Sequence, residues 1–148
     1  MTGHLAAIAT KAASRAPMVP ADRAIVSVTT GIAGDWRGKQ KTRQVTVLFA
    51  EDWAVAVALL DPAAPWTMRR ASLLVRGVVN PQRAGDVLAI GEVRLKVTGE
   101  TQPCFRMDEH LPGLWDAMRP EWRGGVTARV IAGGEIAVGD VARWVDGV

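Results

Sequence analysis

The stretch "GDVLAIGEVRLKVTG" (residues 85–99) constrains the fold of this chain more than any other segment. Val93, Leu95 and Val97 alternate with Glu92, Arg94 and Lys96. A period of two puts the three apolar side chains on one face of a strand and the charged ones on the other. Gly91 separates this run from "DVLAI", so the pair reads as a β-hairpin with one wet face. "GVTARVIAGGEIAVGDVARWV" (125–145) repeats the arrangement, with Gly133 and Gly134 as punctuation between extended runs.

Two more β-branched runs, "AIVSVTT" (24–30) and "RQVTVLF" (43–49), bracket the polar loop "GIAGDWRGKQK" and read as strands joined by a charged connection. "EDWAVAVALLDP" (51–62) opens with acids and closes before a proline, which predicts a helix, although its Val/Ala alternation also allows a strand. "LPGLWDAMRP" (111–120) predicts a second, short one. Gly-Asp turns recur at 34–35, 85–86 and 139–140. Short strands of this kind must hide their edges, and closure hides them best, so the expected fold is mainly β, a barrel with one or two short helices. At 148 residues the chain suffices for one core. Residues 1–23 are expected to form a disordered or loosely ordered lead-in, and residues 24–148 a single barrel domain.

Composition narrows the chemistry. One cysteine, Cys104, excludes an internal disulfide, and with only His4 and His110 beside it no zinc-ligand spacing exists. No run approaches the ~20 apolar residues of a membrane helix. The amino-terminal segment has only Leu5 to Ala9 as an apolar run and no charged leading region, which does not fit a secretory signal. Its basic, Ser/Ala-rich character is compatible with an organellar transit segment, but a cytoplasmic protein is the expectation. Six tryptophans do not interleave with basic residues as in a nucleic-acid-binding sheet and are assigned to core and rim packing, so no nucleic-acid partner is expected.

Charge is unevenly spread. Residues 1–49 carry seven Lys/Arg against two Asp, and 14 of the 18 cations are arginines, which suits bidentate contacts to phosphate or carboxylate. The loop "GIAGDWRGK" lacks the spacing of a nucleotide-binding P-loop. It does offer Arg37, Lys39, Lys41 and Arg43, and "TMRRAS" (67–72) adds Arg69 and Arg70, so convergence of the two clusters would make an anion pocket. If these arginines are surface residues, replacing Arg69 and Arg70 should barely change stability. Cys104 follows a strand and a short "GETQP" link, the kind of loop that a rigid sheet positions for chemistry, and Arg106 sits two residues on. A thiolate there is a soft ligand for a transition metal. Pairing of Cys104 with His110 as a thiol hydrolase is the weakest option, because Asp108 and Glu109 oppose thiolate formation.

The order of these pieces resembles the MOSC domain, the C-terminal module of molybdenum cofactor sulfurases, which also occurs as small stand-alone proteins. The resemblance spans about residues 24 to 145 and rests on "GIAGDWRGK", "RQVTVLF", "RRASLLVRGV", "AGDVLAIGEVRLKVTGETQPCFRM" and "RGGVTARVIAGGEIAVGDVARW". It implies a barrel similar to that of pyruvate kinase and a molybdenum cofactor of the molybdopterin type. It also implies that Cys104 is the catalytic residue, as molybdenum ligand or as sulfur carrier, in sulfur transfer to the cofactor or in reduction of N-hydroxylated small molecules. Arg37, Lys39, Arg69, Arg70, Ser72, Thr101, Gln102 and Arg106 are the implied cofactor-binding residues. Pyridoxal phosphate would belong to a separate partner chain, a cysteine desulfurase, and reduction would need a separate electron-donor protein. The chain departs from the family pattern at Trp36-Arg37, where relatives often carry His, and at Ser72, where they often carry Asn. The alternative reading is a non-catalytic barrel of the same kind serving as an interaction module.

Overall fold

The computed structural model describes residues 2–145. Eleven strands and two α-helices follow one another as β1 (Gly3–Thr10), β2 (Val19–Ala21), β3 (Arg23–Ser27), β4 (Gly31–Ile32), β5 (Val45–Phe49), α1 (Ala50–Val57), β6 (Leu73–Arg76), β7 (Val87–Ile90), β8 (Val93–Glu100), α2 (Leu114–Met118), β9 (Val126–Ala132), β10 (Gly134–Ala137) and β11 (Val141–Val145). Seven strands close a mixed barrel in the order β11-β7-β8-β9-β5-β6-β1. The ring is completed where Gly3 faces Ala142 and His4 faces Val141. The fold is therefore the mainly β barrel expected from the short alternating runs.

The β7–β8 hairpin has the register that the alternation requires, with Ile90 opposite Val93 and Leu88 opposite Leu95. Val93, Leu95 and Val97 point into the barrel, while Arg94, Lys96 and Thr98 lie half-buried on the other face. Strand β5 is buried along its whole length. Val45, Val47 and Phe49 face the barrel interior, whereas Leu48 lies under a second apolar layer built from Trp53 and Val57 of α1 and Leu114 and Met118 of α2. A strand covered on both faces needs no polar alternation. Helix α1 fills the first part of the stretch read as a helix, ending at Val57, and lies in the connection between β5 and β6, which pair in parallel. A parallel pair requires such a crossover, because a tight turn can only reverse the chain.

Two expectations are corrected. The lead-in expected over residues 1–23 is not loose in its described part, residues 2–23: β1 pairs with β6, β2 and β11, and Leu5, Ile8 and Ala9 are fully buried. A register shift between Leu5 and Ala7 breaks the period-two alternation, and this bulge, with the small alanines around it, hides the strand in the sequence. The second hairpin does not form either. Strand β10 turns away from β9 and pairs with β3, giving a three-stranded sheet β10-β3-β4, while β11 joins β7 and β1. Val26, Ile32 and Ile136 of that small sheet share the apolar cluster of the barrel. Strands β3 and β5 thus belong to different sheets, and the loop between them is free to carry functional groups.

If β1 is an integral stave, removing its largest buried side chain must be felt throughout the barrel. Leu5→Ala should cost about 2–5 kcal/mol in chemical denaturation, the range for a fully buried leucine; a residue in a loose leader would cost almost nothing.

Candidate functional site

One buried ion pair organises the site. Asp35 follows β4 and begins the short 3-10 turn Trp36–Lys39. Its carboxylate accepts Nε and Nη2 of Arg37, both at 2.9 Å, and the backbone N–H of Lys11 at 3.0 Å. Arg37 turns its remaining nitrogen, Nη1, to the Thr46 hydroxyl at 3.1 Å and to the Arg70 carbonyl. The turn can sit this tightly because Gly38 has no side chain: a Cβ there would stand 1.7 Å from the Thr30 carbonyl oxygen. Beneath the pair, Thr46 and Ser72 exchange hydrogen bonds, Thr46 N–H to Ser72 Oγ at 3.1 Å and Ser72 N–H to Thr46 Oγ1 at 2.9 Å, tying the starts of β5 and β6 together.

Arg69 ends the 3-10 turn Trp66–Arg69 and is 9 % exposed. Its Nε donates to the Gly124 carbonyl at 2.9 Å and its Nη2 to the Thr101 carbonyl at 3.0 Å. Among the described residues no carboxylate pairs with it. Burial, then the like charge of Arg37, lowers its pKa to about 10, with Cys104 and Glu100 opposing that fall. Arg70, in the left-handed conformation (φ 62°), reaches the Ala16 carbonyl and so holds the segment that follows β1. Burial and Arg37 lower its pKa as well.

These groups line a cavity of about 590 Å³, whose far wall is the segment after β8. There Cys104 is exposed and precedes the 3-10 turn Phe105–Glu109, accepting the Met107 N–H at 2.9 Å on its carbonyl. Thr101 is 8 % exposed, and its Oγ1 is buried with no hydrogen-bond partner among the described residues. A buried hydroxyl without a partner costs about 1–3 kcal/mol, a cost that the fold carries at the edge of the cavity.

Of the residues singled out from sequence, Arg37, Arg69, Arg70, Thr101, Gln102, Cys104 and Arg106 line the cavity. Lys39 is exposed and does not line it, because the 3-10 turn directs Arg37 inward instead. Ser72 is fully buried, is spent on Thr46, and does not line it either. Arg69 is a buried strut, not a surface arginine, so its replacement would orphan two backbone carbonyls and cannot be neutral as the sequence suggested. Sequence reasoning missed Lys11, Arg15, Trp36 and Gln40 as lining residues. Lys11 and Arg15 were hidden by the unread strand β1; the signal available was their basic spacing just beyond a run of buried-type residues. Trp36, given to packing, is 38 % exposed and forms part of the wall.

The lining holds seven cations against one carboxylate, Glu109. Such a wall attracts anions. No three His, Cys, Asp or Glu side chains gather to hold a metal ion among the described residues. A metal here would take one protein thiol and draw its remaining ligands from the molecule that carries it.

Lys11 reports the field of this wall. Burial, then Arg37 and Arg70, lower its pKa from 10.5 to about 8, against the pull of Asp35. Below pH 8 the amine is protonated in the folded and unfolded chain alike; between about 8 and 10.5 only the unfolded chain keeps the proton. The unfolded state binds more protons there, so stability should rise with pH across that window. Urea midpoints on either side of the window should show the rise, and Lys11→Met should remove it.

No protein of curated function matches the sequence. Among solved structures, the YuaD protein from Bacillus subtilis is similar with a TM-score of 0.79 at 17% identity, covering 96% of this chain and 94% of that one. YiiM from Geobacillus stearothermophilus is similar with a TM-score of 0.77 at 15% identity, covering 97% and 75% of the two chains. YiiM from Escherichia coli gives 0.71 at 17% identity, covering 100% and 71%. At these identities the likeness is one of fold. The sequence itself goes further: the family model described as the MOSC domain matches residues 33–143, from the Asp35–Arg37 pair through the Cys104 segment to the closing strand, and the chain belongs to the MOSC domain family.

Proposed function

We propose that this MOSC protein binds a molybdenum cofactor in the 590 Å³ cavity and uses Cys104 as the molybdenum ligand or as the carrier of sulfur destined for it. The observation that carries the reading is the meeting of an exposed thiol with seven cationic side chains in one cavity. A pterin-bound cofactor presents two chemically distinct ends, an anionic phosphate and a soft, electron-poor metal. The residues present fit both. Arginine forks suit the phosphate, and a thiolate is the soft ligand that such a metal prefers. Gln102, exposed in the same lining, offers neutral hydrogen bonds to the polar body between the two ends.

When bound, the cofactor supplies a metal that can give and take electrons. The chain's own groups do the rest. Arg70, Arg37 and Arg69 are held by backbone and side-chain acceptors before any ligand arrives, so little conformational entropy is lost when an anion is received. Cys104 sits in a loop fixed by the end of β8 and by the turn that follows, and Arg106, two residues on, is an exposed cation of the same lining. Sulfur transfer would need a separate desulfurase chain, and N-hydroxyl reduction a separate electron donor. A cytoplasmic location is part of this proposal; no helix among the described residues is long and apolar enough to cross a membrane.

Protein purified from a molybdenum-replete host should carry one molybdenum per chain. Cys104→Ser should fold with an unchanged melting temperature, because the thiol it replaces is exposed, and should lose the metal or the transferable sulfur. Wild-type protein that carries neither molybdenum nor transferable sulfur would leave the non-catalytic interaction module as the better reading, and Trp36 in the cavity wall favours that module.

A further inference from the structure

We infer that Cys104 and the cationic cavity also take sulfane sulfur directly from small anionic donors of the thiosulfate class, forming a persulfide on Cys104 without a desulfurase. The inference uses the thiol of the proposed function but not the cofactor. A free thiol on a surface would carry no such argument. Here two further observations point to an oxyanion beside it. Arg69 is 9 % exposed and neutralised by no carboxylate among the described residues, although an unpaired buried charge is costly. Around it Lys11, Arg15, Arg43, Arg70 and Arg106 line the same cavity as the thiol, with Glu109 as the one carboxylate of the lining. A guanidinium lacking an anion, set in a wall of further cations, is the complement of a sulfonate-like group.

Charge decides whether the reaction is feasible. Attack of a thiolate on a dianion brings three negative charges together, which bulk water disfavours. The lining holds seven cations and one carboxylate, and one of the seven, Arg37, is already matched by Asp35. Six remain against Glu109 to offset the approach and to receive the departing anion. In the step itself the thiol first gives its proton to solvent. Sγ then attacks the outer sulfur of thiosulfate; a new S–S bond forms at Cys104, the S–S bond of the donor breaks, and its electron pair leaves on sulfite. No external oxidant or reductant is consumed. A nucleophile such as cyanide removes the outer sulfur as thiocyanate and returns the thiolate.

Purified protein is incubated with thiosulfate, and intact mass, released sulfite and thiocyanate formed on cyanide addition are measured. The expected result is a mass gain of one sulfur atom, matched by one sulfite and lost on cyanide addition, at a rate well above that of glutathione at the same pH. Cys104→Ser should show none of it. Arg43→Ala and Arg106→Ala alter lining cations that bear no structural hydrogen bond in the core, and each should lower the second-order rate about tenfold while leaving the melting temperature unchanged. No sulfur gain, a gain that persists in Cys104→Ser, or a rate equal to that of glutathione and insensitive to both arginines would overturn the inference. Molybdenum content measured on the same preparation separates the two proposals. Metal without sulfur loading removes this inference alone, and sulfur loading without metal leaves it standing while removing the cofactor.

Discussion

The buried pair of Asp35 and Arg37 is the interaction on which the site depends. One carboxylate receives two guanidinium nitrogens and a backbone N–H from the segment after β1. The same guanidinium reaches Thr46 at the start of β5 and the carbonyl of Arg70 just before β6. Four segments far apart in the chain are thus held to one point. A buried ion pair adds little net stability compared with an apolar core, but breaking it by removing one partner costs about 3–5 kcal/mol. Its effect is geometric: it fixes the backbone that carries Lys11 and Arg70, two other cations of the wall.

Concentrating seven cations is unfavourable by itself, and the structure offsets this in three ways. Arg37 has a carboxylate. Arg69 has two carbonyl dipoles, from Gly124 and Thr101. The bare Gly124 lets that guanidinium approach, since a Cβ there would meet Nη2 at 3.2 Å and the Thr101 oxygen at 2.6 Å. Lys11 relieves the field by releasing its proton at a lower pH than an ordinary lysine. What is left uncompensated is directed into the cavity, where the thiol of Cys104 opens.

The barrel explains why these groups can be held so rigidly. The parallel β5–β6 pair is covered by the barrel core on one side and by α1 and α2 on the other, and the Thr46–Ser72 exchange locks the two strands at the end nearest the cavity. The thiol comes from a different hairpin, at the end of β8. Strand β9, between β5 and β8 in the sheet, fixes the distance across which the two parts of the site face each other.

The sequence by itself determined what was local and periodic. The β7–β8 hairpin, the buried strand β5, both helices and the loop that carries Cys104 were legible because alternation, β-branched residues, Gly turns and flanking prolines act over a few neighbours. The arginine clusters at 37 and 69–70 were visible for the same reason. What stayed hidden depended on partners distant in the chain. Strand β1 was masked by its bulge, and with it Lys11 and Arg15. The pairing of β10 with β3 competes with a nearer hairpin, and only the closed ring decides between them. Which cations face inward was also a tertiary decision, since Arg37 and Lys39 are two residues apart on one short turn, yet only Arg37 meets Asp35 and Thr46. Charge type is written in the chain, but burial and pairing arise only when the barrel closes and removes water from one side chain and not from its neighbour.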